Sequence, residues 1–303
     1  MNPRTIILLA AALAFAPLLL AQSDPPPPAT ATFVAAGVNA GDTWTEQASY
    51  GSSFTITIDD SWRDVSGRIP QPTTTVSISR TKVVKVTSAR ENDTITGMEV
   101  TYTAASAGGT PISSVVGKTY VLVINGNNVG SVTYAGTTTA TPTGEEVAFV
   151  TADNAHFGQI RAMNKTLGGK TVAVGQNVRA FDPDDLINTA DGMSVRNFVM
   201  TLRSVDAGGQ TATFDVTMEL VGRMKKGKGQ NDPDTPFDLS DALEMTLGGS
   251  LTVRTTTSRI TSLSISGPTT LRGRKLASGK AGKHDQVKMD GSGNASIDVS
   301  YTY

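Results

Sequence analysis

The stretch KVVKVTSARENDTITGMEVTY, residues 82–102, decides how the chain reads. Val84 and Val86 in its first half, and Met98, Val100 and Tyr102 in its second, alternate with polar residues, and Glu91-Asn92-Asp93 separates the two runs. Period-two alternation broken by a turn-forming cluster is the pattern of an antiparallel hairpin with one buried face. The pattern returns 116 positions later without a gap. Val83, Val84, Val86, Ser88, Met98, Val100, Thr101 and Tyr102 map to Val199, Met200, Leu202, Ser204, Phe214, Val216, Thr217 and Met218, with Ala207-Gly208-Gly209 as the turn. The next pair of runs maps at an offset of 131, taking Tyr120, Leu122, Val129 and Val132 to Leu251, Val253, Ile260 and Leu263. Residues 82–134 and 198–263 therefore read as two copies of one β unit. The other reading is two amphipathic hairpins that share only their alternation.

Outward from this core, Asn125-Gly126-Asn127-Asn128 between alternating runs is a strong hairpin signal. Thr143-Gly144-Glu145-Glu146 fits a capping box, and Val150, Phe157, Ile160, Met163 and Leu167 follow at helical spacing before Gly168-Gly169. The spacing predicts one helix over 143–167, kinked at Asp153, between the two copies. Ile297, Val299 and Tyr301 alternate in a final strand that is expected to pair into the sheet, so that truncating it is costly. The fold class expected is mainly β: an antiparallel curved sheet or half-barrel from two similar halves, with one helix between them.

At the other end, Arg4 precedes an apolar run from Ile6 to Leu20 and the small residue Ala21, which reads as a secretory signal over residues 1–21. A membrane-spanning helix needs roughly 20 apolar residues, more than this run holds. Residues 22–36, with Pro25-Pro26-Pro27-Pro28, read as a linker. The first β unit plus helix is placed at 37–170 and the second at 171–303, the two being either separate or one continuous domain. The chain has no cysteine, so it has neither disulfides nor a lipid-bearing amino-terminal cysteine, and 282 residues must hold by core burial alone. Without Arg4 the charge is about −2, which argues against nucleic acid as a partner.

Chemistry is thinly marked. His156 falls in the predicted helix and His284 in a Lys- and Gly-rich loop, with no nucleophile elbow to make a triad. Two isolated histidines do not build a zinc site, and the carboxylates of Asp182, Asp184, Asp185, Asp232, Asp234, Asp238 and Asp241 lack the spacing of a calcium loop. No cofactor motif is present, and catalysis is left without a candidate residue. Basic segments containing Lys225 and Lys226, and Arg272 and Arg274, are candidate anion contacts. Tyr102, Tyr120, Leu122, Phe157, Ile160, Met163, Met218 and Val253 are candidate walls of an apolar pocket between sheet and helix, and equally an ordinary core.

The hairpins at 84–102 and 120–132 together with the helix at 143–167 resemble exported bacterial proteins of the lipoprotein-carrier type, with a curved half-barrel, and secreted bacterial proteins built of duplicated β units. The carrier resemblance implies a cavity for acyl chains between sheet and helix. The leading function is then an exported, periplasmic or extracellular, non-catalytic protein binding a lipid or other amphiphile, or an envelope component such as a protein or glycan. A structural or adhesive β module is the alternative, and an enzyme acting on the envelope or its glycans the third reading.

Overall fold

The computed structural model describes residues 29–59, 69–70, 73–91, 93–125, 128–136, 139–154, 158–186, 193–222, 243–276 and 286–303. The expected signal, both histidines, Phe157, Lys225, Lys226 and the 232–241 aspartates lie outside them. In chain order the strands begin with β1 (Thr30–Thr32), β2 (Thr43–Asp59), β3 (Ile69–Pro70), β4 (Thr74–Arg90), β5 (Thr94–Ala107), β6 (Thr110–Pro111), β7 (Thr119–Asn125) and β8 (Asn128–Tyr134). Helices α1 (Gly144–Asp153) and α2 (Gln159–Leu167) follow, then β9 (Thr171–Ala173) and β10 (Asn177–Arg179). The chain closes with β11 (Met193–Val205), β12 (Thr211–Gly222), β13 (Leu243–Arg254), β14 (Arg259–Leu276) and β15 (Gln286–Thr302).

One antiparallel sheet runs in the order β10-β11-β12-β13-β14-β15-β2-β4-β5-β7-β8, with β3 and β6 added beside β2 and β5. It does not close into a barrel; β10 and β8 end the order. β15 lies in the middle, paired to β14 on one side and β2 on the other, so the final strand is the seam between the halves.

The halves agree in register as well as in sequence. Val84 faces Val100 and Lys82 faces Tyr102; 116 residues on, Met200 faces Val216 and Phe198 faces Met218. Between Val86–Met98 and Ser88–Gly97 the ladder skips Thr87, and between Leu202–Phe214 and Ser204–Thr213 it skips Arg203, the same position shifted by 116. A second bulge skips Gly130 in β8 and Thr261 in β14. Alternation alone does not dictate where an extra residue enters a strand. The sequence offset of 131 needs one correction. Met98 faces Leu122 whereas Phe214 faces Leu251, so β7 maps to β13 at an offset of 129 and only β8 to β14 at 131. The turn between them accounts for the difference, because two residues separate the pair Asn125–Asn128 and four separate Arg254–Arg259.

The expected single helix is two. The capping box forms as read: Thr143 is the N-cap, its hydroxyl accepts from the Glu146 amide, and Glu146 reaches back to the Thr143 amide. Asn154 then ends α1, its amide nitrogen donating 2.8 Å to the Val150 carbonyl, and α2 begins after Gly158. α2 sits over the seam. Ile160 packs into the core of the first half, while Ala162, Met163 and Leu167 pack into that of the second. Trp44 touches both cores. Part of the expected linker also belongs to the fold: β1 pairs with β9, and Phe33, 1% exposed, packs on Phe214 at 5.9 Å between ring centroids.

Glycines mark where neighbouring backbones crowd. A Cβ at Gly249 would strike the Ser264 carbonyl oxygen, and one at Gly293 the Ser53 carbonyl oxygen. Bare α-carbons there give the sheet room to bend. Gly249→Ala is expected to cost about 1–3 kcal/mol through backbone displacement, read as a lower denaturant midpoint at unchanged slope.

Candidate functional site

Along β4, Arg80, Lys82, Val84 and Val86 are all buried while Val83 and Lys85 between the last three are exposed. Period-two alternation has therefore carried two cations to the covered face, where α1 lies. Each end of α1 brings a carboxylate to meet polar groups of the sheet.

At its first turn, Glu146, 1% exposed, accepts from Lys118 Nζ at 2.6 Å and from the hydroxyls of Tyr120 and Tyr134 at 2.9 Å. Its other oxygen accepts the Thr143 amide at 2.7 Å. Lys118, the capped backbone and the two tyrosines together hold this carboxyl well below the usual carboxylate range. The Tyr120 phenol is pushed up, by burial first and by Glu146 second.

At the last turn, Asp153 bonds Arg80 Nε, Lys82 Nζ at 2.9 Å and the Tyr102 hydroxyl at 2.8 Å. Arg80 also donates to Glu46 at 2.7 Å, and Glu46 Oε2 stands 3.6 Å from Lys82 Nζ. Asn154 completes the nest. Its Oδ1 accepts from Lys82 Nζ at 2.8 Å, and its Nδ2 donates to the Tyr102 oxygen at 2.9 Å. Two cations thus face two carboxylates with little water, an arrangement whose attraction must offset a desolvation cost of several kcal/mol per ion. Burial and the neighbouring Arg80 push the Lys82 amine down to about 7, with Glu46 acting the other way.

Beside Lys82, Glu46 and Asn154 a cavity of about 40 Å³ opens toward Trp44, Ile95, Met98, Ile160, Tyr301 and Tyr303. It has space for a few water-sized groups. The second half lacks the charged row. Shifted by 116, Lys82 and Tyr102 become Phe198 and Met218, and the residue paired with Phe198 through its backbone is Ala180 where β2 has Glu46.

The structure divides the apolar residues read from the sequence. Tyr102, Tyr120, Leu122 and Ile160 share the core of the first half; Met163, Met218 and Val253 share that of the second. Except for Ile160 at 6%, these are fully buried. Arg272 is exposed on β14, and Arg274 lies two residues further along that strand with its backbone opposite Lys288. Asp184 accepts the Val195 amide at 2.6 Å and Asp182 sits 3.5 Å from Arg161, as turn and capping groups do. Glu46, Arg80, Lys82, Asp153 and Asn154 were not singled out from the sequence as a site; the signal available was a pair of cations on the apolar period of a strand.

Glu146 carries a pH prediction. Its carboxyl titrates below its ordinary 4.5 in the folded chain, so the stability it contributes is present above that pH and lost as pH falls below it. Glu146→Gln is expected to lower the urea midpoint at neutral pH and to lose less of it on acidification, as urea titrations at stepped pH would show.

No protein-family model matches the chain, and no curated protein matches it. Among solved structures the chain is similar, at 7% identity and a TM-score of 0.16, to the InvG secretin-domain β-barrel from the Salmonella SPI-1 injectisome NC-base, over 86% of this chain and 63% of that one. It is similar at 10% identity, with the same TM-score, to the ETEC pilotin–secretin complex AspS–GspD, over 86% of this chain and 48% of that one. The chain spans less than two thirds of the length of either.

Proposed function

We propose that the protein is an exported, non-catalytic β module of the cell envelope or exterior, which acts through its sheet surface and loops and holds no amphiphile inside. The observation that carries this reading is that carboxylates at both ends of α1 are bonded to residues read from the sequence as pocket walls. The hydroxyls of Tyr102 and Tyr120 are already bound to carboxylates of that helix, and Leu122 beside them is 0% exposed. A buried polar group satisfied within the chain has nothing left to offer a ligand. The residues first read as pocket walls act, in this proposal, as core.

The opposite side of the central strands offers a different surface. An open groove of about 530 Å³ crosses β14, β15, β2 and β4, lined by Gln47, Ser49, Ser79, Thr81, Ser264 and Asp298 among others. Its hydroxyl, amide and carboxylate groups, set beside Ala48, Ala104 and Val299, offer hydrogen bonds to a polar partner such as an envelope glycan or an extended peptide. Export rests on the Arg4 to Ala21 signal pattern.

Native mass spectrometry of the protein, purified without detergent from its own cells, tests the proposal. The polypeptide alone, free of any organic molecule, is expected. A stoichiometric mass that organic extraction removes would overturn it and restore the amphiphile carrier.

A further inference from the structure

Lys82 Nζ stands 2.8 Å from Asn154 Oδ1, 2.9 Å from Asp153 Oδ2 and 3.6 Å from Glu46 Oε2. All three side chains are buried: Lys82 is 1% exposed, Glu46 3% and Asn154 4%. A primary amine held against a side-chain amide, with a carboxylate in reach to carry a proton, has the parts of an acyl transfer between side chains. We propose that Lys82 and Asn154 condense into an intramolecular isopeptide bond, with Glu46 as the proton carrier. Nζ attacks Cγ of Asn154, the Nζ–Cγ bond forms, and the Cγ–Nδ2 bond breaks. One proton passes from Nζ to the Glu46 carboxylate and from there to Nδ2, which leaves as ammonia. Amine and amide thus give a secondary amide and ammonia, with no oxidant, metal or cofactor in the balance.

The surroundings favour this acceptor. Burial and Arg80 lower the amine's hold on its proton, which favours the nucleophilic form. The Asn154 amide is fixed in orientation, because its Oδ1 accepts from Nζ while its Nδ2 donates to the Tyr102 oxygen at 2.9 Å and the Val150 carbonyl at 2.8 Å. Asp153 is as near, but its carboxylate is bound by Arg80 and by the Tyr102 hydroxyl, and an ionised carboxylate is a poor electrophile. The fold itself does not require these groups, since the second half places Phe198 and Met218 where the first has Lys82 and Tyr102. The product ties β4 to the end of α1 across 72 positions of sequence, a covalent clasp in a chain that has no cysteine. This chemistry stands apart from the surface role proposed above.

Intact mass alone would mislead, because a chain cut after Ala21 would begin with Gln22, whose cyclisation also releases ammonia. The test is a protease digest of the purified full chain, read by tandem mass spectrometry. A branched peptide joining the segments around Lys82 and Asn154, lighter by one ammonia than the two together, is expected in most molecules. Lys82→Arg and Glu46→Gln are expected to yield only separate linear peptides, with a thermal midpoint lower by roughly 10 °C, the scale of a lost covalent cross-link in a domain of this size. The wild-type digest decides even if a variant does not fold. Linear peptides covering Lys82 and Asn154 from folded wild-type protein overturn the proposal. A branch lighter by one water overturns Asn154 as acceptor in favour of Asp153 or Glu46, and a branch that persists in Glu46→Gln overturns Glu46 as proton carrier.

Discussion

Everything at the centre of this protein depends on β15 being hydrogen-bonded on both sides. Paired to β14 along one edge and β2 along the other, it makes one sheet of two halves that would otherwise be two separate sheets. Its inward residues also build the site. Tyr301 pairs with Glu46 across the strands and, with Tyr303, walls the small cavity in front of Lys82. Gln159 of α2 donates to the Tyr301 hydroxyl at 3.0 Å, which fixes the second helix over the seam. Sheet continuity, helix placement and the position of the buried amine are consequences of the same pairing.

The two halves form an internal control on what the fold needs. Where the second half fills its inward row with Ala180, Phe198 and Met218, the first places Glu46, Lys82 and Tyr102. Replacing buried ion pairs by well-packed apolar side chains is commonly neutral or stabilising, and the second half is an instance of that solution in the same sheet. The charges of the first half therefore cost stability that packing alone would have spared. Chemistry or specificity is the gain that offsets such a cost, and the proximity of an amine to an amide is the chemistry at hand.

How much of this was legible follows from range. Alternation fixed the hairpins at 84–102 and 198–218, because each strand's partner lies one turn away and the face of every residue follows from the pleat. The capping box at Thr143 is equally local and formed as read. The offset error of two residues at Leu251 came from a turn two residues longer, which alternation cannot detect since a shift of two preserves the face. The seam was not readable: nothing near Val299 specifies that β2 will be its neighbour. The charged nest was half visible. Arg80 and Lys82 occupy the apolar period of β4, but their partners Asp153 and Asn154 are 71 to 73 positions away, at a break in the helix that the sequence marked only as a kink.

The pairing of β15 with β2 joins residues 229 to 257 positions apart. Contacts of that separation form late, because a long loop must close before any of them is gained. Until they do, β2 and β15, of 17 residues each, present an unpaired row of amides and carbonyls to their surroundings. The slowest and most vulnerable interval in the life of this chain is then the one between the folding of its halves and their union. A chaperone that shields exposed strand edges would act there.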